Sequence, residues 1–259
     1  MTAALRAEWT KLRTLPGTGW LLLGVIAATV AVSAAVSAAV VCSSPAGCHA
    51  DVTRLSLTGT DIGQAVVAVV AVLAVSGEYA TGMIRTTLAA MPRRTTVLAA
   101  KAAVLTAVTL AAGTVAVLGS VLAGRLILPG HGYTPANGYP VLSLANGTVL
   151  RAAAGTVLYL ALIALLSLGV ATAVRDAAVA IGAVLGLLYL FPILAAVAGS
   201  AGVQRHLDQI GPMTAGLEIQ ASTGLGHLPI SPWAGLGVLA AWAAAALLAG
   251  TLVLRVRDA

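Results

Sequence analysis

Charge is scarce in this sequence. Only 8% of its 259 residues are Asp, Glu, Lys or Arg, where an ordinary soluble domain carries roughly 25%. So little charge cannot cover a water-facing globule of this size, and the mean hydropathy is +1.01. A soluble enzyme, a DNA-binding module and a disordered tail are excluded together. Lysine is almost missing: Lys11 and Lys101 are the only two, and they follow Thr10 and Ala100. No Gly-Lys-[Ser/Thr] can be written, so ATP has no P-loop here and the chain is not expected to be an enzyme. Histidine is confined to His49, His131, His206 and His227, all outside the long apolar runs. That disfavours a bis-histidine haem inside a bundle. No serine–histidine, paired-carboxylate or zinc-ligand set lies within a run to make an intramembrane protease. No cofactor or metal is expected in this chain.

What is present is apolar sequence in six blocks free of charge, at 19–41, 62–77, 102–124, 152–174, 177–199 and 233–254. A spanning helix needs about 20 apolar residues, and the second block reaches that length as 60–79, with Asp61 and Glu78 at its rims. Continuous runs without period-two alternation read as helices rather than barrel strands. The first run is too long for a cleavable signal peptide. The expectation is an all-α membrane protein, one domain over 1–259, with six transmembrane helices. With the N-terminus inside, ten Lys and Arg fall on the inner side and four (Arg54, Arg125, Arg151, Arg205) on the outer, while the acidic residues divide evenly. The whole formal charge of +6 then lies on one face. This bias predicts cytoplasmic N- and C-termini in the plasma membrane and attraction to anionic lipid, not nucleic acid.

Residues 1–18 precede the first span. Leu5, Trp9, Leu12 and Leu15 recur at helical spacing opposite Arg6, Glu8, Lys11 and Arg13, which reads as an interfacial helix. Cys42 and Cys48 share the first outer loop, where a disulfide and two free thiols are both open readings. A metal held by Cys42, Cys48 and His49 would lack a fourth ligand. The stretch from Gly77 to Arg94 is the longest inner connection and the richest in charge; Ile84, Leu88 and Met91 share a helical face and Pro92 stops it. Asn146-Gly147-Thr148 matches a glycosylation sequon too common to weigh. Gly182 and Gly186 form a small-xxx-small pair suited to close helix packing, and Pro192 is expected to kink or end the fifth span. Residues 200–232 leave the bilayer yet carry Leu207, Ile210 and Leu217, as short helices in the outer leaflet would.

In this order the elements resemble the six-span permease subunit of ABC-2 type ABC exporters, in their small, Ala-rich actinobacterial form. The carrying segments are Glu8-Trp9-Thr10-Lys11-Leu12-Arg13-Thr14, Gly77-Glu78-Tyr79 through Arg94, and Leu158-Tyr159-Leu160-Ala161-Leu162 running on to Arg175. The resemblance covers nearly the whole chain. It implies a separate ABC ATP-binding subunit, which supplies ATP and magnesium chemistry, and a second permease chain in a homo- or heterodimer. It also implies that Glu8, Trp9, Lys11, Arg13, Glu78, Gly82, Arg85, Pro92, Arg93 and Arg94 form the region that couples to the ATPase. The segment after the fifth span would be an external gate.

The leading functional expectation is therefore the membrane subunit of an ATP-driven exporter. Uncharged spans of Ala, Val, Leu and Gly suit an amphiphilic, drug-like cargo better than an anion. One Phe, four Trp and five Tyr are few for a glycan path. Two alternatives from other classes stand beside it: a non-transporting assembly or regulatory factor that docks an ATPase, and an ion-coupled secondary transporter. The latter ordinarily needs an ionisable group inside the bundle.

Overall fold

The charge-free blocks fold as helices in the computed structural model, which describes residues 2–14, 16–42, 48, 50–80, 82–83 and 94–256. Among these residues the chain is all-helical, without strands: α1 (Thr2–Thr14), α2 (Pro16–Ala39), α3 (Val52–Leu57), α4 (Thr60–Ala80), α5 (Arg94–Ile127), α6 (Gly147–Val174), α7 (Ala177–Val197), α8 (Ala201–Ile210), α9 (Pro212–Leu217) and α10 (Pro232–Val256). Six segments are long and apolar enough to cross a membrane: Gly19–Ala39, Val52–Tyr79, Thr95–His131, Gly147–Val174, Ala177–Val197 and Pro232–Val256. Alternating direction puts α1, the α4–α5 connection, the α6–α7 turn and the end of α10 at one end of the bundle, the near end. The connections after α2, α5 and α7 lie at the far end.

Four of the six spans match the charge-free blocks to within a few residues, and two run longer. The second span extends to Val52 because α3 leads into α4 through a turn at Thr58 and Gly59. Asp51 starts α3, its carboxylate accepting from the Thr53 and Arg54 amides at 3.0 and 3.2 Å, which satisfies donors that a helix start leaves open. The third span belongs to a 34-residue helix, α5. At 1.5 Å per residue it measures about 51 Å, against a hydrocarbon core of about 30 Å. Its backbone has no reason to stop where apolarity does, since no proline occurs between Arg94 and Pro129.

The sixteen buried residues of α6 put it at the centre, packed on α4, α5, α7 and α10. Tyr159, Leu160, Ile163, Leu166 and Leu168 are sealed from solvent. Glycine sets the closest approach: a Cβ on Gly169 would stand 2.4 Å from the Ala246 carbonyl carbon of α10, and one on Gly250 would stand 2.8 Å from the Gly169 oxygen. Small residues of this kind let backbones meet where lipid offers no hydrophobic drive to helix association. The expected pair, Gly182 and Gly186, is not part of such packing within the chain. A Cβ on either would meet nothing within 4 Å, because α7 faces the bundle with Ala180, Val184 and Leu188, two residues out of phase with the glycines. Pro192 does not end α7, which continues to Val197.

Other sequence features take structural roles. Asn146 of the sequon is the N-cap of α6, accepting from the Thr148 amide at 3.0 Å. Cys42 and Cys48 are joined by a disulfide with Cα atoms 5.9 Å apart. Sulfurs bonded to each other are not metal ligands, and His49 lies outside the described residues. The disulfide sits under Tyr139, whose hydroxyl donates to the Cys48 carbonyl, and Tyr139 meets Tyr133 edge-on with ring centroids 5.0 Å apart. The segment after α7 does form short helices, α8 and α9.

Candidate functional site

Two glutamates and two lysines meet at the near end. Lys101, in the second turn of α5, donates to Glu8 Oε2 of α1 at 2.8 Å and to Glu78 Oε1 of α4 at 2.8 Å. Lys11 of α1 donates to Glu8 Oε1 at 3.0 Å and Glu78 Oε1 at 2.9 Å. Glu8, Glu78 and Lys101 are 4%, 6% and 7% exposed, so three of the four charges lie away from water. Isolated charges there would cost several kcal/mol each. Here the group is formally neutral and each lysine bridges both carboxylates. Partial burial disfavours the charged Lys11, yet its hydrogen bonds to Glu78 and Glu8 outweigh that and raise its pKa above 10.5.

Lysine suits this task because its ammonium offers three rotatable donors on a flexible stem. Both lysines of the sequence are spent here. The cluster pins three elements to one another: α1, the last turn of α4 and the first turns of α5. Beside it, Arg175 ends α6 in the left-handed region (φ 67°) and sets its guanidinium 5.5 Å from the centre of the Tyr79 ring. Its Nη2 also donates to the Val253 carbonyl of α10 at 3.4 Å. The near ends of α4, α6 and α10 are thus tied by a third cation.

Of the sequence-predicted coupling residues, the structure brings Glu8, Lys11 and Glu78 together. Trp9 points away from the bundle and is 54% exposed. In α1, then, Glu8 and Lys11 turn inward, while Arg6 and the tryptophan face out. Gly82 follows α4 with φ 69°, a conformation that glycine adopts without strain. Arg94 begins α5 and Arg13 lies in α1. Arg85, Pro92 and Arg93 lie outside the described residues, as does the amphipathic segment through Ile84, Leu88 and Met91. Lys101 was missed as a site residue, though the signal existed: it is one of only two lysines in the chain and directly precedes the third charge-free block.

A second buried polar group lies within the bundle. Gln64 of α4 is solvent-inaccessible and accepts from the Tyr159 hydroxyl. Its amide donates to the Asp61 carbonyl at 3.2 Å and to Met213 Sδ at 3.1 Å, and the Tyr189 hydroxyl donates to the same carbonyl. Every polar atom of the glutamine is thus occupied, as burial demands. No three His, Cys, Asp or Glu side chains among the described residues are grouped to hold a metal ion.

These features define a multi-pass, all-helical membrane protein. Against known proteins, the chain matches no family model and no curated protein.

Proposed function

We propose that this chain is the membrane-spanning permease subunit of an ATP-driven exporter of the ABC-2 type, with its near end in the cytoplasm and its ATPase carried by a separate subunit. The observation that supports this best is the Glu8–Lys11–Glu78–Lys101 cluster. An energising partner outside the bilayer must move helices inside it, and that needs a rigid joint at the membrane boundary. Ionic and hydrogen bonds from three elements converge on one such joint. A displacement imposed on α1 or on the connection after α4 reaches α4 and α5 together, because neither can shift without exposing an unpaired buried charge. The interfacial position of α1, with Trp9 turned outward at headgroup depth, belongs to the same reading.

Co-purification of the tagged chain from its native membranes tests the proposal. An ABC ATP-binding subunit is expected in stoichiometric amount, and an Arg85→Ala/Arg93→Ala/Arg94→Ala chain should lose it together with efflux. If no ATPase accompanies the chain and the triple substitution leaves efflux intact, the exporter reading falls. Efflux that tracks the proton gradient while ATP is maintained would favour ion coupling in its place.

A further inference from the structure

At the far end a cleft of about 600 Å³ opens between the α3–α4 turn and the α8–α9 segment. The sequence has eight acidic residues. The four that fall at this end, Asp51, Asp61, Asp208 and Glu218, all line this one cleft, although they are scattered along most of the chain. Arg54 is the sole Lys or Arg among the lining residues, so four carboxylates face one guanidinium, a formal charge of −3.

Two of the carboxylates are committed to structure. Asp51 caps α3 and receives the Ser222 and Thr223 amides and the Ser222 hydroxyl, while Glu218 pairs with Arg54 at 3.3 Å. The other two are not: neither the Asp61 nor the Asp208 carboxylate has a hydrogen-bond or ion-pair partner among the described residues. Burial pushes the Asp208 carboxyl above its ordinary value, against the weaker pull of Arg54. Gln220 adds an independent feature. It lines the same cleft, is 3% exposed, and its Nε2 has no hydrogen-bond partner among the described residues. A buried donor left unpaired costs about 1–3 kcal/mol. The rest of the wall includes the apolar Leu55, Met213 and Leu217.

We propose that this cleft is a binding site for an amphiphilic organic cation: a ligand with an ammonium or other delocalised positive group, a hydrogen-bond acceptor and a hydrocarbon body. The free carboxylates of Asp61 and Asp208 take the charge, the Gln220 amide takes the acceptor, and the apolar wall takes the body. The volume falls in the range of about 300–1,000 Å³ that small-molecule sites occupy. A bare metal ion fits poorly, since no three of the acids are grouped to share one. The site is a matter of binding and does not depend on the exporter reading. A chain that co-purifies with an ATPase yet binds no cation would leave that reading standing and end this one.

Equilibrium binding to the purified full chain in lipid nanodiscs is the test, with rhodamine 6G as a cationic probe read by fluorescence anisotropy and fluorescein as an anionic counterpart. Rhodamine 6G should bind saturably and fluorescein should not. Asp61→Asn/Asp208→Asn should weaken rhodamine 6G at least tenfold, and Gln220→Leu should weaken it several-fold. Asp176→Asn removes a carboxylate at the near end while keeping an N-cap residue, and should leave binding unchanged. Thr58→Lys places a cation at the cleft without touching the acids and should weaken binding as well, guarding against a folding defect in the double variant. Binding that is non-saturable in the wild-type chain, or undiminished in both the double variant and Thr58→Lys, would overturn the proposal.

Discussion

At the near end Lys101 ties α1, α4 and α5 together through a single ammonium. Replacing it by methionine leaves Glu8 and Glu78 buried with only Lys11 to share, and breaking a buried pair in this way costs about 3–5 kcal/mol. Lys101→Met should therefore lower the unfolding temperature in detergent markedly, and adding Glu78→Gln should restore part of the loss by removing the surplus charge, a coupling that a double-mutant cycle measures. Asp51 gives a pH-dependent counterpart. Burial alone would raise its pKa, but hydrogen bonds from Ser222, Thr223 and Arg54 bring it below its ordinary 3.8. A carboxylate depressed by folding stabilises the native state above that ordinary value, and the contribution vanishes as pH falls through the folded value. The stability difference between wild type and Asp51→Asn should thus be constant at neutral pH and shrink below about pH 4, as a series of melting curves would show.

At the level of elements, the α6–α10 contact is the one most sensitive to small changes. Gly169→Ala puts a methyl group against the backbone at Ala246 and Leu247, where no side chain can swing aside. Overpacking of this kind typically costs about 1–3 kcal/mol, and a drop in unfolding temperature should separate it from Gly182→Ala, which meets open space and should be neutral. The contrast also shows what sequence can and cannot convey about helices in lipid. Their existence and approximate limits were legible, because absence of charge is a requirement of the solvent and leaves a mark at every position. Their neighbours were not. A GxxxG spacing on α7 looks like a packing motif, but which side of a helix meets another depends on partners far along the chain, and α7 turns those glycines outward. The length of α5 escaped for a related reason: hydropathy marks where lipid ends, whereas a helix ends where its backbone bonds do.

For the whole molecule, the arrangement of ends makes a definite prediction. In a Cys42→Ser/Cys48→Ser background, a cysteine at Ser143 should react with a membrane-impermeant maleimide in intact cells, and one at Thr95 should react only after the membrane is opened. The reverse pattern would invert the assignment of the near end to the cytoplasm. The candidate site was half legible at this scale. Glu78 stood out as charge at the rim of an apolar run, and Glu8 and Lys11 as the polar face of an N-terminal helix, but that they share one joint with Lys101 follows from how α1 folds back on the bundle, which no local pattern encodes. The acidic cleft was hidden for the same reason, its four carboxylates being unremarkable one at a time.

The filled centre of the bundle has one more implication. Sixteen of the 28 residues of α6 are buried, against four of the 21 of α7, and the void between α2, α4 and α5 at mid-depth amounts to about 10 Å³. The described residues leave no conduit along the chain's own axis, so on the exporter reading proposed above a cargo travels along its flank, bounded on the other side by lipid or by a neighbouring protein. The bore of such a passage is then a property of an assembly. Substitutions that widen or narrow it belong on the outward faces of α2, α7 and α10, and those in the α6 core should alter how well the wall stands without changing what slips past it.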